Sequence, residues 1–164
     1  WMIQSVKREI AQDMSFGEIC GLASEESIDS IVDCNDERFM EPDSMTEAVR
    51  QYCRDSEQQV PEGIGQIASV IYNSLASSYK QAAEEIEKLT GKNYPVIHVI
   101  GGGSNAGYLN ELTARYTGKK VIAGPAEATA IGNIMVQMIY GGEYESLEKA
   151  RAAVRMSFPT KAYT

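Results

Sequence analysis

Chemistry in this chain concentrates in one stretch, Val96-Ile-His-Val-Ile-Gly-Gly-Gly-Ser-Asn105, where an apolar run breaks into three glycines and then into polar residues. The apolar, β-branched residues predict a buried strand over 96–100. Gly101, Gly102 and Gly103 allow a sharp turn and leave no side chain above the peptide plane, so a ligand can lie against it. Ser104 stands where a helix N-cap is wanted, and Leu109, Leu112 and Tyr116 give the segment 105–117 one apolar face. A strand, a bare turn and a helix N-terminus gather free N–H groups and a partial positive charge, which suits a nucleotide phosphate or a purine edge. The spacing is neither the dinucleotide fingerprint nor the P-loop, and a tight turn without a ligand is the competing reading.

The other reactive side chains read more plainly. His98 alternates with Ile97 and Val99, has no partner Ser, Asp or Cys in sight, and is expected to be packed and hydrogen-bonded rather than catalytic. Glu127 stands at a helix start, where the dipole favours it, and contact with nucleotide or metal is the sharper alternative. Asp33, Asp36 and Glu37 lie in an acidic stretch without the calcium-loop spacing; a solvated loop is expected there, with approach to Mg²⁺ or sugar as the alternative. Cys34 and Cys53 are expected to be inert small residues. Tyr72 and Tyr79 are expected in the core rather than in a stacking platform.

The elements that must position the glycine turn follow from periodicity and caps. Met2, Ile3, Val6 and Ile10 predict a helix over 1–12, and Ser15 opens a short second one to Ala23. Residues 24–44 form a long irregular loop. A helix over 45–55 turns Met45, Ala48, Val49 and Tyr52 inward. Pro61 opens the longest helix, which runs to Leu89 with Ile64, Ile67, Ile71, Leu75, Ala82, Ile86 and Leu89 on its stripe, and Gly91 stops it. Then come the strand 96–100, the glycine turn, a helix to 117 ended by Gly118, and a strand over 119–123. Gly124-Pro125 breaks that strand, and Pro125 starts a helix to Tyr140. Ala126, Ala128, Ala130 and Gly132 would let that helix press close to the sheet, and Gly141-Gly142 end it. Ser146 caps a last helix to Arg155, with Glu148 in its first turn. Two strands joined through a helix make a βαβ unit, and two parallel strands need further partners. The opening residue, Trp1, already belongs to an apolar helical face with no cap before it. The chain therefore reads as cut from a longer protein, with the remaining strands expected upstream.

Composition sets the outer limits. A chain of 164 residues with 43% hydrophobic and 23% charged residues is long enough for one domain with a core. Acidic side chains outnumber basic ones 23 to 15, for a net charge of −8, which argues against nucleic acid or an anionic membrane as general partners. A local phosphate site survives that argument, because backbone N–H groups need no lysine. Three cysteines without metal-ligand spacing suit free thiols in a reducing cytoplasm.

Ile97-His-Val-Ile-Gly-Gly-Gly-Ser104, Leu109-Asn110, Val121-Ile-Ala-Gly-Pro125 and Glu127-Ala-Thr-Ala-Ile-Gly-Asn133 together resemble the C-terminal domain of the FGGY carbohydrate kinases. Asn35-Asp-Glu-Arg-Phe39 with Pro42, and Trp1-Met-Ile-Gln4, extend the resemblance over nearly all the chain, and the Asn35–Pro42 loop with the Val121–Pro125 block favours one sugar-specific branch. The resemblance implies an α/β fold: part of an actin-like, ribonuclease-H-like ATPase domain, helix-rich with few strands. It makes 1–164 the nucleotide-binding C-terminal portion of a sugar kinase, with ATP and Mg²⁺ as cofactors and the sugar held by an N-terminal domain outside this chain. Gly102, with Gly101 and Gly103 beside it, matches a position that contacts ATP, as does Gln4; Ser104 and Asn105 complete the implied nucleotide site. The catalytic base is implied upstream, so no catalytic or metal-ligating residue is assigned here. Where the family commonly has Gln-Asn after Gly-Gly-Gly-Ser, this chain has Asn105-Ala106, which alters how an adenine edge would be read. A kinase for another sugar, or a non-catalytic actin-like nucleotide-binding module, are the competing readings.

Overall fold

The computed structural model describes residues 1–164. Its first half is helical. α1 (Met2–Ile10) buries Met2 and Val6. In α2 (Phe16–Glu25) a capping box is complete: Ser15 Oγ accepts from the Glu18 N–H, and the Glu18 carboxylate accepts from the Ser15 N–H at 2.7 Å. α3 (Met45–Asp55) starts at Ser44, whose hydroxyl accepts from the Glu47 N–H. α4 (Ile64–Thr90) ends where Gly91 adopts φ 65°, a left-handed stop that glycine takes without a Cβ clash. Pro61 lies ahead of this helix rather than in its first turn, and Gly63 holds the N-cap position.

Two apolar clusters share α4. In one, Met2, Val6, Met45, Val49, Ile67, Val70 and Ile71 enclose Phe39 and the loop residues Ile28, Val32 and Cys34. In the other, Ile19 and Ala23 of α2 meet Ala68, Tyr72 and Ala76 of α4 and Leu112 further along the chain. The stretch 24–44 is therefore not simply a solvated loop. Ile28, Ser30, Val32 and Cys34 are buried in alternation, and Ser30 Oγ donates to the Gln59 carbonyl at 2.6 Å. Two of its carboxylates serve local turns: Asp33 accepts from the Asn35 N–H, and Asp36 caps the short 3₁₀ turn Glu37–Phe39 and pairs with Arg38, which also reaches Asp55.

The expected stripe of α4 holds only for its first half. Ile67 and Ile71 are fully buried, whereas Ile86 and Leu89 are exposed, because neither cluster extends past Ala76. Tyr72 is in the core and Tyr79 is not; Ile10 is likewise exposed.

The second half carries the sheet. β1 (Val96–Val99) and β2 (Lys120–Ala123) pair in parallel, Val96 opposite Lys120 and Val99 opposite Ala123. α5 (Gly107–Thr117), ended by Gly118 at φ 64°, connects them and packs on α4, α2 and β2. A third strand, β3 (Lys161–Tyr163), runs antiparallel on the far side of β2. One of the missing sheet partners thus comes from downstream, and the outer edge of β1 is open. β1 is only partly buried and His98 is exposed, contrary to the expectation of a buried strand and a packed histidine. Its edge position, with no second neighbour, is the cause.

α6 (Ala128–Tyr140) and α7 (Leu147–Ser157) pack on one another. Pro125 follows a cis peptide bond and precedes α6, which begins after Glu127. The small residues of α6 do not seat it on the sheet: Ile131 is its one buried residue, and Ile134, Val136 and Tyr140 face solvent. Ser146 caps α7 as expected, accepting from the Lys149 N–H. No helix is long and apolar enough to cross a membrane.

Candidate functional site

The glycines form a 3₁₀ turn, Gly101–Asn105, between β1 and α5. Two crossed backbone bonds fasten it to the loop after β2: Gly101 N–H donates to the Pro125 carbonyl at 3.2 Å, and Gly124 N–H donates to the Val99 carbonyl at 2.8 Å. Gly101 has φ 74° and Gly124 φ 112°, so both positions require glycine. At Gly124 a Cβ would also stand 3.1 Å from the Pro159 carbonyl oxygen, on the approach to β3. The ends of all three strands therefore meet around this turn.

Gly102 offers more room than its neighbours. Its φ lies outside the left-handed region, a Cβ there would meet nothing within 4 Å, and its N–H, like that of Gly103, has no partner in the protein. A backbone donor beneath open space is what a ligand lying on the peptide plane needs. Gly103 and Asn105 are exposed beside it, and Ser104 is half-buried.

Ser104 is not a helix cap. Its hydroxyl donates to the Gly101 carbonyl at 2.7 Å, within the 3₁₀ turn, and this local bond competes with capping. α5 consequently starts two residues later, with Ala106 at the N-cap position and no side chain capping its first N–H groups. Those groups keep their partial positive charge available to an anion.

Sequence reasoning overlooked Asn110. It is 1% exposed, and its amide Nδ2 donates to the Ser104 carbonyl at 3.0 Å. The residue lay in view within Leu109-Asn110, but a polar side chain in the first turn of a helix gives no sign of burial. Tyr163 of β3 also reaches this end of the sheet: its hydroxyl lies 3.5 Å from where a Cβ of Gly107 would be.

Gln4 stands apart. It is exposed on α1, which packs against α3 and α4 rather than on the sheet. Glu127 occupies the N-cap position of α6 without a side-chain capping bond. Burial pushes the Cys34 thiol up to about 11 and raises that of Cys53, which fits inert residues. Glu9, by contrast, has its carboxyl lowered: burial works against this, but hydrogen bonds from Thr46, Met45 and Ser44 at the start of α3 outweigh it.

A parallel strand, a glycine turn and an uncapped helix meet at the carboxyl end of the sheet, the place where open α/β sheets bind their ligands. The family is established over residues 1–140, which match the C-terminal domain of the FGGY family of carbohydrate kinases, and the chain belongs to that family. It is 43% identical over 163 residues to a rhamnulokinase of Oceanobacillus iheyensis, which covers 99% of this chain and 35% of the relative. It is 41% identical over 165 residues to a rhamnulokinase of Bacillus subtilis (100% of this chain, 34% of the relative). A rhamnulokinase of Halalkalibacterium halodurans is 44% identical over 163 residues, with 99% and 35% covered. The chain thus spans about a third of the length of the curated relatives it matches.

Proposed function

We propose that this chain is the nucleotide-side portion of an ATP-dependent sugar kinase, phosphorylating L-rhamnulose to its 1-phosphate in the cytoplasm. The substrate rests on the names of relatives about 40% identical over the whole chain. The single observation that carries the nucleotide assignment is Gly102, an unpaired backbone donor under open space at the mouth of a parallel β–turn–α unit.

In this reading Gly101, Gly102 and Gly103 form the floor beneath the adenosine and its first phosphate. Ser104 and Asn105 border it, while Gln4, which stands apart on α1, is assigned to the nucleotide by the family resemblance alone. The uncapped first turn of α5 adds favourable charge. ATP supplies the transferred phosphoryl group. Mg²⁺ would enter on the nucleotide's phosphates. The proton acceptor for the sugar hydroxyl belongs to the N-terminal domain, which also holds the sugar; 1–164 is a partial C-terminal domain of the kinase, of the actin-like, ribonuclease-H-like kind. Closure of the two domains would keep water from the phosphates.

Calorimetric titration of the chain with MgADP tests the reading. Micromolar to millimolar binding that Gly102→Val abolishes supports it. A chain shown to be folded by circular dichroism that takes up no MgADP overturns a self-sufficient nucleotide site. In the longer protein, phosphorylation of L-rhamnulose in preference to xylulose and fuculose tests the substrate.

A further inference from the structure

We propose that Asn110 is the positioning residue of the glycine turn, holding the Gly102 donor in register for the nucleotide; as a claim about binding, this rests on the function proposed above. The 3₁₀ turn is short, and such turns have poor internal hydrogen-bond geometry. Its glycines supply no packing side chains, so its shape depends on what ties it down. The first end is tied by the crossed bonds between Gly101 and Pro125 and between Gly124 and Val99. At the other end stands the side chain of Asn110. Its amide reaches back six residues from the first turn of α5 to the Ser104 carbonyl, and Ser104 in turn donates its hydroxyl to the Gly101 carbonyl. Gly102 lies inside that closed circuit.

Burial makes the bond consequential. Asn110 is 1% exposed, so an amide without its acceptor would stand unsatisfied in the interior. The backbone of Asn110 is fixed as well, since its N–H donates to the Ala106 carbonyl at 3.0 Å in the first turn of α5. On its inner side α5 is held by Leu112 in the second apolar cluster and by the Tyr116 hydroxyl, which donates to Asn73 Oδ1 at 3.0 Å. Asn110 therefore transmits the rigid seat of α5 to a turn whose own backbone tie on that side is the single bond from the Ala106 N–H to the Gly103 carbonyl at 3.1 Å.

The nearly isosteric Asn110→Asp variant isolates the donor. Its ionised carboxylate faces the Ser104 carbonyl with no proton to give, but once protonated it can donate as the amide does. The titratable groups of α5 are Tyr108, Glu111, Arg115 and Tyr116, with Arg115 paired to Glu111 at 3.0 Å, and β3 adds Lys161, its ammonium 4.8 Å from the Tyr163 ring centre. Nitrogen-15 NMR of the folded chain gives the first readout. Asn110→Asp should displace the amide resonances of 101–106 at pH 8 and return them toward the native positions as the pH falls to 5.5, with α1–α3 unchanged. MgADP titration gives the second: about tenfold weaker binding than native at pH 8, one hydrogen bond's worth, and a gap that closes at lower pH. Taking the variant-to-native ratio at each pH removes the titration of the nucleotide itself.

Native-like turn resonances in Asn110→Asp at pH 8 overturn the proposal, as does a displacement with no pH-dependent return. If the native chain binds no MgADP, a self-sufficient nucleotide site fails while the resonances still decide the role of Asn110 in the turn. If the turn moves but affinity does not, the role in binding is overturned. Asn110→Ala serves as the check on folding, losing the donor at every pH and showing no return.

Discussion

Replacing Gly102 by valine separates two properties that most substitutions confuse, stability and ligand space. The backbone at 102 is outside the left-handed region and a Cβ there meets nothing within 4 Å. The fold therefore accepts a side chain, and the narrower unfolded ensemble offsets local strain, leaving stability within about 1 kcal/mol of native. In thermal unfolding that is a shift of at most about 4 °C. The ligand sees something different. An atom resting on the bare peptide sits at contact distance, about 3.5–4 Å, which is the volume the valine methyls now fill. A phosphate or base edge must retreat and give up the Gly102 N–H, a charge-assisted bond of about 1.5–3 kcal/mol. MgADP binding should weaken by about 10-fold to 150-fold. Gly124→Ala gives the opposite pattern: φ 112° and a Cβ 3.1 Å from the Pro159 oxygen predict a loss of about 1–3 kcal/mol in stability. Calorimetry and thermal unfolding on both variants provide the assay. A Gly102→Val chain that keeps native stability and binds MgADP within twofold of native would refute the turn as the nucleotide's seat.

Other consequences are open to direct measurement. Ile71→Ala, at a fully buried position of α4, should cost about 2–5 kcal/mol in urea unfolding; a loss below 1 kcal/mol would place the core elsewhere. In the native chain at pH 8 iodoacetamide should label half-buried Cys20 well before Cys34 and Cys53, and all three in urea; mass spectrometry reports the order. Because the folded Cys34 thiol holds its proton to about 11, it contributes stability that falls as the pH rises from about 9 toward 11, and Cys34→Ala should flatten that alkaline slope. Glu9 has the reverse sign: its lowered folded value contributes stability present above the ordinary carboxylate range and lost as the pH falls through that lowered value. Glu9→Gln should flatten the acid limb of urea midpoints against pH, and an unchanged limb would rule out its hydrogen bonds to the start of α3 as a contributor.

Local chemistry was readable in the sequence wherever neighbouring residues settle the matter by themselves. Ser15 with Glu18, Ser146, Gly91 and Gly118 mark helix ends because a capping hydroxyl or a left-handed glycine acts over three or four residues. The strand, the three glycines and the parallel β–α–β order were equally legible, since period and glycine content encode them. Tertiary structure decided what depends on distant partners. Ser104 turned inward to the Gly101 carbonyl rather than capping α5, because the loop fastened by Pro125 and Gly124 tightened into a 3₁₀ turn. The alternating burial of Ile28, Ser30, Val32 and Cys34 arises only when α3 and α4 close over an otherwise acidic loop. Lys161-Ala-Tyr163 has no pattern of its own and becomes a strand by pairing with β2. Conversely, Ile86, Leu89 and the apolar side of α6 carry a helical pattern that nothing in this chain covers. Asn110 shows the division most clearly: its position in a helix was fixed by periodicity, but its bond to Ser104 exists because the 3₁₀ turn brings that carbonyl back over the first turn of α5.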